Sequence, residues 1–208
     1  MTCKICKEKK KIEINKNNFF LRIDSSNKKL NDYKNYICYN CGTIYHLPKI
    51  KLSKLINHYN NDYRSTDSLL KLEKNKLVDL PIRFEWTGTS FTRFNAFYKI
   101  INNYKQLKFQ RNDKILDFGC YQGAFLYACR EVLKTKVVGT DYSEEGLKMA
   151  EKLFNIKTFR TTKNFFGKKV QAKLISLLHV FEHLDDPINF LQKIKRNLLK
   201  KNGYIYLE

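Results

Sequence analysis

The sequence predicts an α/β fold: an open, mostly parallel sheet with helical crossovers in the second half, preceded by a small metal-bound ribbon and a helical connector. Three observations carry this. From residue 114 onward, short apolar runs alternate with amphipathic ones at the rhythm of strand, helix, strand. A glycine loop, Gly119 to Gly123, follows the first of those runs. Near the N-terminus two Cys-x-x-Cys pairs have the spacing of a four-thiolate metal site. At 208 residues and 43% hydrophobic, the chain can bury one core and a small satellite, and no stretch approaches the roughly 20 apolar residues of a membrane span.

The ribbon comes first. Cys3-x-x-Cys6 and Cys38-x-x-Cys41 are separated by 31 residues, room for an inserted hairpin between two knuckles, and Gly42 supplies a tight turn after the second pair. A module of about 45 residues buries too little apolar surface to offset its ordering entropy, whereas a structural zinc contributes on the order of 10–16 kcal/mol. Residues 1–48 are therefore expected to fold around one Zn²⁺, with Cys3, Cys6, Cys38 and Cys41 as a closed, structural ligand set. The competing reading is two disulfides or unrelated thiols. "MTCKICKEKKK" has no apolar segment of the secretory kind, so a reducing, cytoplasmic setting is expected and the metal is favoured.

Residues 49–110 read as a helical connector. "LSKLINHYN" and "STDSLLKLEKNKLVDL" carry apolar residues at helical spacing, the second ending before Pro81. "TSFTRFNAFYKIINNYKQL" places Phe91, Phe94, Tyr98, Ile101 and Tyr104 or Leu107 on one stripe, expected to pack in the core. Trp86, Thr87 and Gly88 stand in a loop that could border a pocket.

Residues 111–208 carry the sheet. Strands are expected at 114–118, 136–140, 157–160, 173–179 and 203–207, and helices at 123–134, 143–154 and 187–200. Parallel strands with right-handed crossovers place a ligand at the strands' C-terminal ends, near the switch in strand order. A phosphate-binding loop would need Gly-Lys-Ser/Thr, but Gly123 precedes Ala124 and Phe125. A dinucleotide loop wants a middle glycine, where this one has Tyr121. S-adenosylmethionine has no phosphate; its ammonium, carboxylate, sulfonium and ribose diol suit an acid at the strand end and two glycines, here Asp117, Gly119 and Gly123. Asp141, 24 residues beyond Asp117, ends the second strand and can accept both ribose hydroxyls.

In "HVFEHLDDP", His179, Glu182 and His183 stand at i, i+3 and i+4, positions that share one face if the turn is helical. An imidazole backed by a carboxylate is suited to act as a general base. Divalent-metal ligation and a packing or capping role are the other readings of the same residues.

"ILDFGCYQGAFL", "VVGTDYSEEGLKMA" and "LLHVFEHLDDPINFLQKIKRNLLKKNGYIYLE" resemble, in order, the motifs of class I S-adenosylmethionine-dependent methyltransferases, a Rossmann-like family; the similarity covers 114–208. The resemblance implies that Asp117, Gly119, Tyr121 and Gly123 line the methionine end of S-adenosyl-L-methionine, Asp141 its ribose and Tyr142 its adenine, with Asn164 offered to the adenine amine. It puts His183 with Glu182 near the acceptor. Tyr121 departs from the family's middle glycine, Asn164 from its adenine-binding acid, and Lys173 from an acid before the fourth strand. The family's sheet has seven strands, and "GYIYLE" reads as the fifth, so a C-terminally incomplete sheet with an exposed edge is expected, a fragment whose own activity is in doubt. The cysteine module followed by "LP" and "HYNNDYR" resembles the N-terminal region of sugar and polysaccharide-pathway methyltransferases, which implies a small-molecule acceptor.

The formal charge of +20 arises from 32 lysines and 8 arginines against 20 acids. The lysines are dispersed along the chain, as a generic solvated surface would have them, and the Asn, Ile, Tyr and Phe content fits a compositional bias. Nucleic acid is thus the less favoured partner, kept as the alternative in which the ribbon and lysines bind RNA. A non-catalytic scaffold is the third reading.

Overall fold

The computed structural model describes residues 2–14, 34–47, 53, 89–104, 106–162, 164–168 and 170–208. Apart from Ser53, the helices expected within 52–60 and 65–80, and the loop with Trp86, lie outside them. The ribbon and the α/β sheet belong to separate compact units, each considered by itself.

The ribbon is a three-stranded antiparallel sheet, β1 (Lys11–Ile14), β2 (Lys34–Cys38) and β3 (Ile44–Leu47), in the order β1-β2-β3. Ile12 lies opposite Ile37, which lies opposite Ile44. Because side chains alternate along a strand, these three share one face, and Cys38 points to the other.

Ahead of the five-stranded sheet, α1 (Thr89–Asn103) precedes a regular alternation: β4 (Lys114–Phe118), α2 (Ala124–Leu133), β5 (Lys136–Asp141), α3 (Glu144–Phe154), β6 (Lys157–Arg160), β7 (Ala172–Leu177), α4 (Pro187–Asn197) and β8 (Leu199–Leu207). Five strands form one sheet in the order β6-β5-β4-β7-β8, every pair parallel. The expected fold is therefore present. β8 starts earlier than expected, at Leu199, and its register with β7 shifts between Ala172 and Leu174, so it gains residues that the helical pattern of 187–200 had claimed. Lys173, where the family has an acid, donates to the Asn202 carbonyl at 2.7 Å and lies over the Tyr204 ring, which ties β7 to β8.

The helix starts follow local chemistry. Ser143 caps α3 by accepting from the Gly146 amide at 3.1 Å, and Glu144 and Glu145 sit in the first turn, where the positive end of the helix dipole favours them. Leu147, Ala150 and Phe154 then bury one face. The core joins α1 to α2 through Phe94, Phe97 and Phe125, with ring centroids 5.7–6.5 Å apart in edge-on contacts. Phe94, Tyr98 and Ile101 of the aromatic stripe pack in the core, as expected, and the structure decides between Tyr104 and Leu107. Phe97, one residue off the stripe, is fully packed, and Tyr104 is exposed while Leu107 packs against the core. Among the described residues no helix is long and apolar enough to cross a membrane.

Candidate functional site

β4 is where the strand order switches, with β5 on one side and β7 on the other. Its C-terminal end carries Asp117, 2% exposed, whose carboxylate accepts from the Ser176 hydroxyl of β7 at 2.7 Å. Burial pushes the Asp117 acid up to about 7, with the Ser176 bond and the charge of Arg93 opposing and Asp141 adding to the rise. A desolvated carboxylate of this kind is stabilised in its ionised form by a cationic partner.

The loop after β4 is held by its neighbours. The amides of Gly119 and Cys120 both donate to the Thr140 carbonyl at the end of β5. Gly119 has φ +72, and a Cβ there would meet Val180 Cγ2 at 2.5 Å. Its bareness thus admits Val180, from the segment after β7, and brings the glycine loop against the segment expected to hold the acceptor. Gly123 (φ +79) is the residue preceding α2. Tyr121, in place of the family's glycine, adopts a left-handed φ of +45, and its ring lies over Gly146, where a Cβ would come within 2.5 Å of Tyr121 Cδ2. Tyr121 is accommodated because α3 offers a glycine opposite it.

Asp141 organises the other side. Its Oδ2 accepts from the Tyr121 amide and its Oδ1 from the Ser143 amide, each at 2.8 Å. A carboxylate has roughly four acceptor sites, a chemistry that suits Asp141 to a diol. Tyr142 follows, its phenol pushed above the ordinary range by partial burial and by the Asp141 charge. Asn164 is exposed and precedes the 3₁₀ turn Phe165–Gly167; its carbonyl accepts from the Gly167 amide. This set of acceptors, two strand-end carboxylates beside a bent loop without a phosphate lysine, fits a ligand with a cationic end and a diol.

The segment after β7 departs from expectation in its backbone. His179 has φ +53 and lies outside the 3₁₀ turn Phe181–His183, so the three residues are not on one α-helical face. The turn nevertheless brings His179 Nδ1 to 3.3 Å from Glu182 Oε1, and His183 Nε2 to 3.9 Å from the same oxygen. The sequence reading missed two participants. Glu208 Oε1 lies 3.5 Å from His179 Nε2 and 3.2 Å from Arg93 Nε, and the Glu208 carbonyl accepts from the His179 amide. Arg93 lies on α1 beside the aromatic stripe and Glu208 follows β8, so no local motif marks either; only the tertiary structure brings them together.

In the ribbon the four predicted ligands do converge. Their sulfurs all lie within 4.8 Å of one another, with Cys3 to Cys41 at 3.7 Å and Cys6 to Cys38 at 3.5 Å. A tetrahedral site with Zn–S near 2.3 Å places sulfurs roughly 3.8 Å apart, so the four can hold a zinc ion, and the distances exclude disulfides between these pairs. The two knuckles repeat one another. Lys7 donates its amide to the Cys3 carbonyl at 2.9 Å and Gly42 to the Cys38 carbonyl at 3.0 Å, with φ +65 and +70. The Thr43 hydroxyl, 3.0 Å from Cys41 Sγ, helps draw that thiol down to about 6. Among the described residues, the group of three or more potential ligand atoms that converges this closely is the cysteine set.

A family model described as a methyltransferase domain matches residues 92–208. A tRNA U34 carboxymethyltransferase of Campylobacter fetus subsp. fetus is 26% identical over 215 aligned residues, 89% of this chain and 65% of the relative. One of Nautilia profundicola, with the same description, is 28% identical over 138 residues, 59% of this chain and 40% of the relative. The chain thus spans about two thirds or less of these relatives' length. Among solved structures, the plantazolicin methyltransferase BpumL in complex with SAH is 26% identical, with 74% of this chain and 56% of that one covered at a TM-score of 0.47. With its parallel sheet, its strand-end carboxylates and more than half its length matched by that family model, the chain belongs to the methyltransferase-domain family.

Proposed function

We propose that the chain binds S-adenosylmethionine at the C-terminal ends of β4 and β5 and directs its methyl group to an acceptor beside the segment after β7. The observation that carries this reading is the pairing of a buried Asp117 with an Asp141 fixed by two loop amides, across a loop that excludes a phosphate ligand. S-adenosylmethionine, when bound, supplies a methyl group activated by a sulfonium. Asp117 then offsets the cationic methionine end, Asp141 accepts from the ribose hydroxyls, and Tyr142 and Asn164 serve the adenine. Gly119, Tyr121 and Gly123 shape the loop. His183, with Glu182 beside it, takes the acceptor's proton, and His179 orients Glu182 through its 3.3 Å contact. Holding acceptor and methyl in line supplies up to about 7–11 kcal/mol, and proton removal contributes a smaller factor of roughly 10²–10⁴. Zinc at the four cysteines is structural, since four thiolates leave no open position.

The sugar-pathway resemblance favours a small-molecule acceptor, a sugar or polysaccharide precursor. A second acceptor class, RNA, has specific observations behind it: both curated relatives are described as acting on tRNA, and the chain carries a net +20. Isothermal titration tests the cofactor reading. Asp141→Ala is expected to weaken S-adenosylmethionine binding at least 10-fold, as loss of a charged hydrogen-bond acceptor does, while His183→Ala retains binding and lowers turnover. Unchanged binding by Asp141→Ala would remove the site as assigned. Transfer of a labelled methyl group to total tRNA or to nucleotide-sugar pools separates the acceptors.

A further inference from the structure

The ribbon presents a face that zinc binding does not use. In the β1–β2 register, Lys11 is opposite Cys38 and Ile12 opposite Ile37, and the Tyr39 amide extends the ladder by donating to the Lys10 carbonyl. Lys10, Ile12, Tyr39, Ile37 and Ile44 therefore share the face opposite the cysteine sulfur of Cys38. That face is open: Tyr39 is 61% exposed, Ile12 53% and Ile44 63%. Lys10 Nζ stands 4.0 Å from the Tyr39 ring centroid. The exposed lysines 4, 7 and 9 lie in the turn that leads into β1 beside Lys10, whereas Lys11 and Lys34 alternate onto the Cys38 face. Glu8 is turned inward onto the amides of Lys9 and Lys10, and Glu13 is paired with Lys34, so the acids do little to repel a polyanion.

We propose that this face is a single-stranded RNA contact, in which Tyr39 stacks on an unpaired base and the surrounding lysines take the phosphates. The inference rests on the RNA reading of the acceptor. An exposed aromatic beside cations on a flat sheet suits single strands, because every base has an apolar face to stack and every linkage a charge. Charge favours RNA over a protein partner: Lys10 stands over the Tyr39 ring, lysines 4, 7 and 9 precede it in the same exposed turn, and the chain carries a net +20, all of which phosphates neutralise and an apolar protein surface would leave unpaired.

The test uses the full zinc-loaded chain and a fluorescein-labelled single-stranded RNA of about 15 nucleotides, followed by anisotropy at several salt concentrations. Wild type is expected to bind with a steep salt dependence. Tyr39→Ala should weaken binding about 10-fold at fixed salt, with Tyr39→Phe close to wild type, and Lys10→Ala should reduce the salt slope by about one. Zinc content of one per chain in each variant shows that the ribbon is intact. If wild type binds RNA and both alanine variants match it, the contact lies elsewhere and this proposal falls while the RNA reading stands. Absence of RNA binding by wild type even at low salt would overturn both. If Tyr39→Ala instead converts a self-associated wild type to monomer in sedimentation and leaves RNA binding unchanged, the face is an interface between copies, and the proposal is wrong.

Discussion

Asp117 shows how one residue's environment sets a measurable property. Its acid is raised from 3.8 to about 7 chiefly by burial, so the folded protein holds a proton that the unfolded chain has already lost. The sign follows from linkage: stability is fullest below the unfolded value and is lost as pH rises through about 7. Without ligand, the α/β unit should lose a few kcal/mol between about pH 4 and pH 7, and Asp117→Asn should flatten that slope. Urea unfolding at three pH values checks both. Gly119 is constrained as tightly by its neighbour as by any ligand. Gly119→Ala would drive a methyl into Val180 and strain a backbone at φ +72, so a loss of about 1–3 kcal/mol is expected in the same assay.

The legibility of individual residues divided along similar lines. Asp117, Asp141 and the four cysteines were readable because their spacing repeats a chemical requirement. Tyr121 was a departure whose outcome depends on Gly146, a residue 25 positions away that no local pattern connects to it. Arg93 and Glu208 were invisible, because their meeting with His179 requires α1 and β8 to be placed by the sheet.

Among elements, the ribbon and the sheet are held by different forces. The ribbon's three short strands leave Ile12, Ile14 and Ile44 exposed, so its order is expected to rest on a metal held by the four cysteines. Chelation by excess EDTA, or Cys3→Ser, is expected to abolish protection of the β1–β2 amides in hydrogen exchange while the β4–β7 amides remain protected. Equal protection with and without zinc would show that the metal is dispensable. In the α/β unit, helix and strand limits were read to within a few residues wherever capping and periodicity agreed, as at Ser143 and α3. They failed at β8, where the amphipathic pattern of 187–200 runs on into a strand. There β7 pairs Ala172 with Leu199 and resumes from Tyr204 after a register shift, and pairing outweighs helical propensity. The turn at 179–183 failed for a related reason: helical spacing was read correctly, but His179 is held left-handed, with its amide on the Glu208 carbonyl.

At the scale of the whole molecule, charge matters more than any pair. A formal +20 destabilises the compact state through self-repulsion, and few of the described ion pairs are buried enough to offset it. Raising salt from about 0.02 to about 0.3 M, which shortens the screening length from roughly 20 to 6 Å, should therefore raise the melting temperature by a few degrees in differential scanning fluorimetry. A fall would mean that surface ion pairs dominate instead. The sequence by itself determined the α/β class, the strand and helix order, the cysteine set and the two strand-end acids, because each rests on periodicity or on ligand spacing, which are local. Only the tertiary structure decided what surrounds them: Val180 against Gly119, Tyr121 over Gly146, and Arg93 with Glu208 beside His179. Those contacts join positions far apart in the chain, and strand order, which no single segment encodes, brings them together.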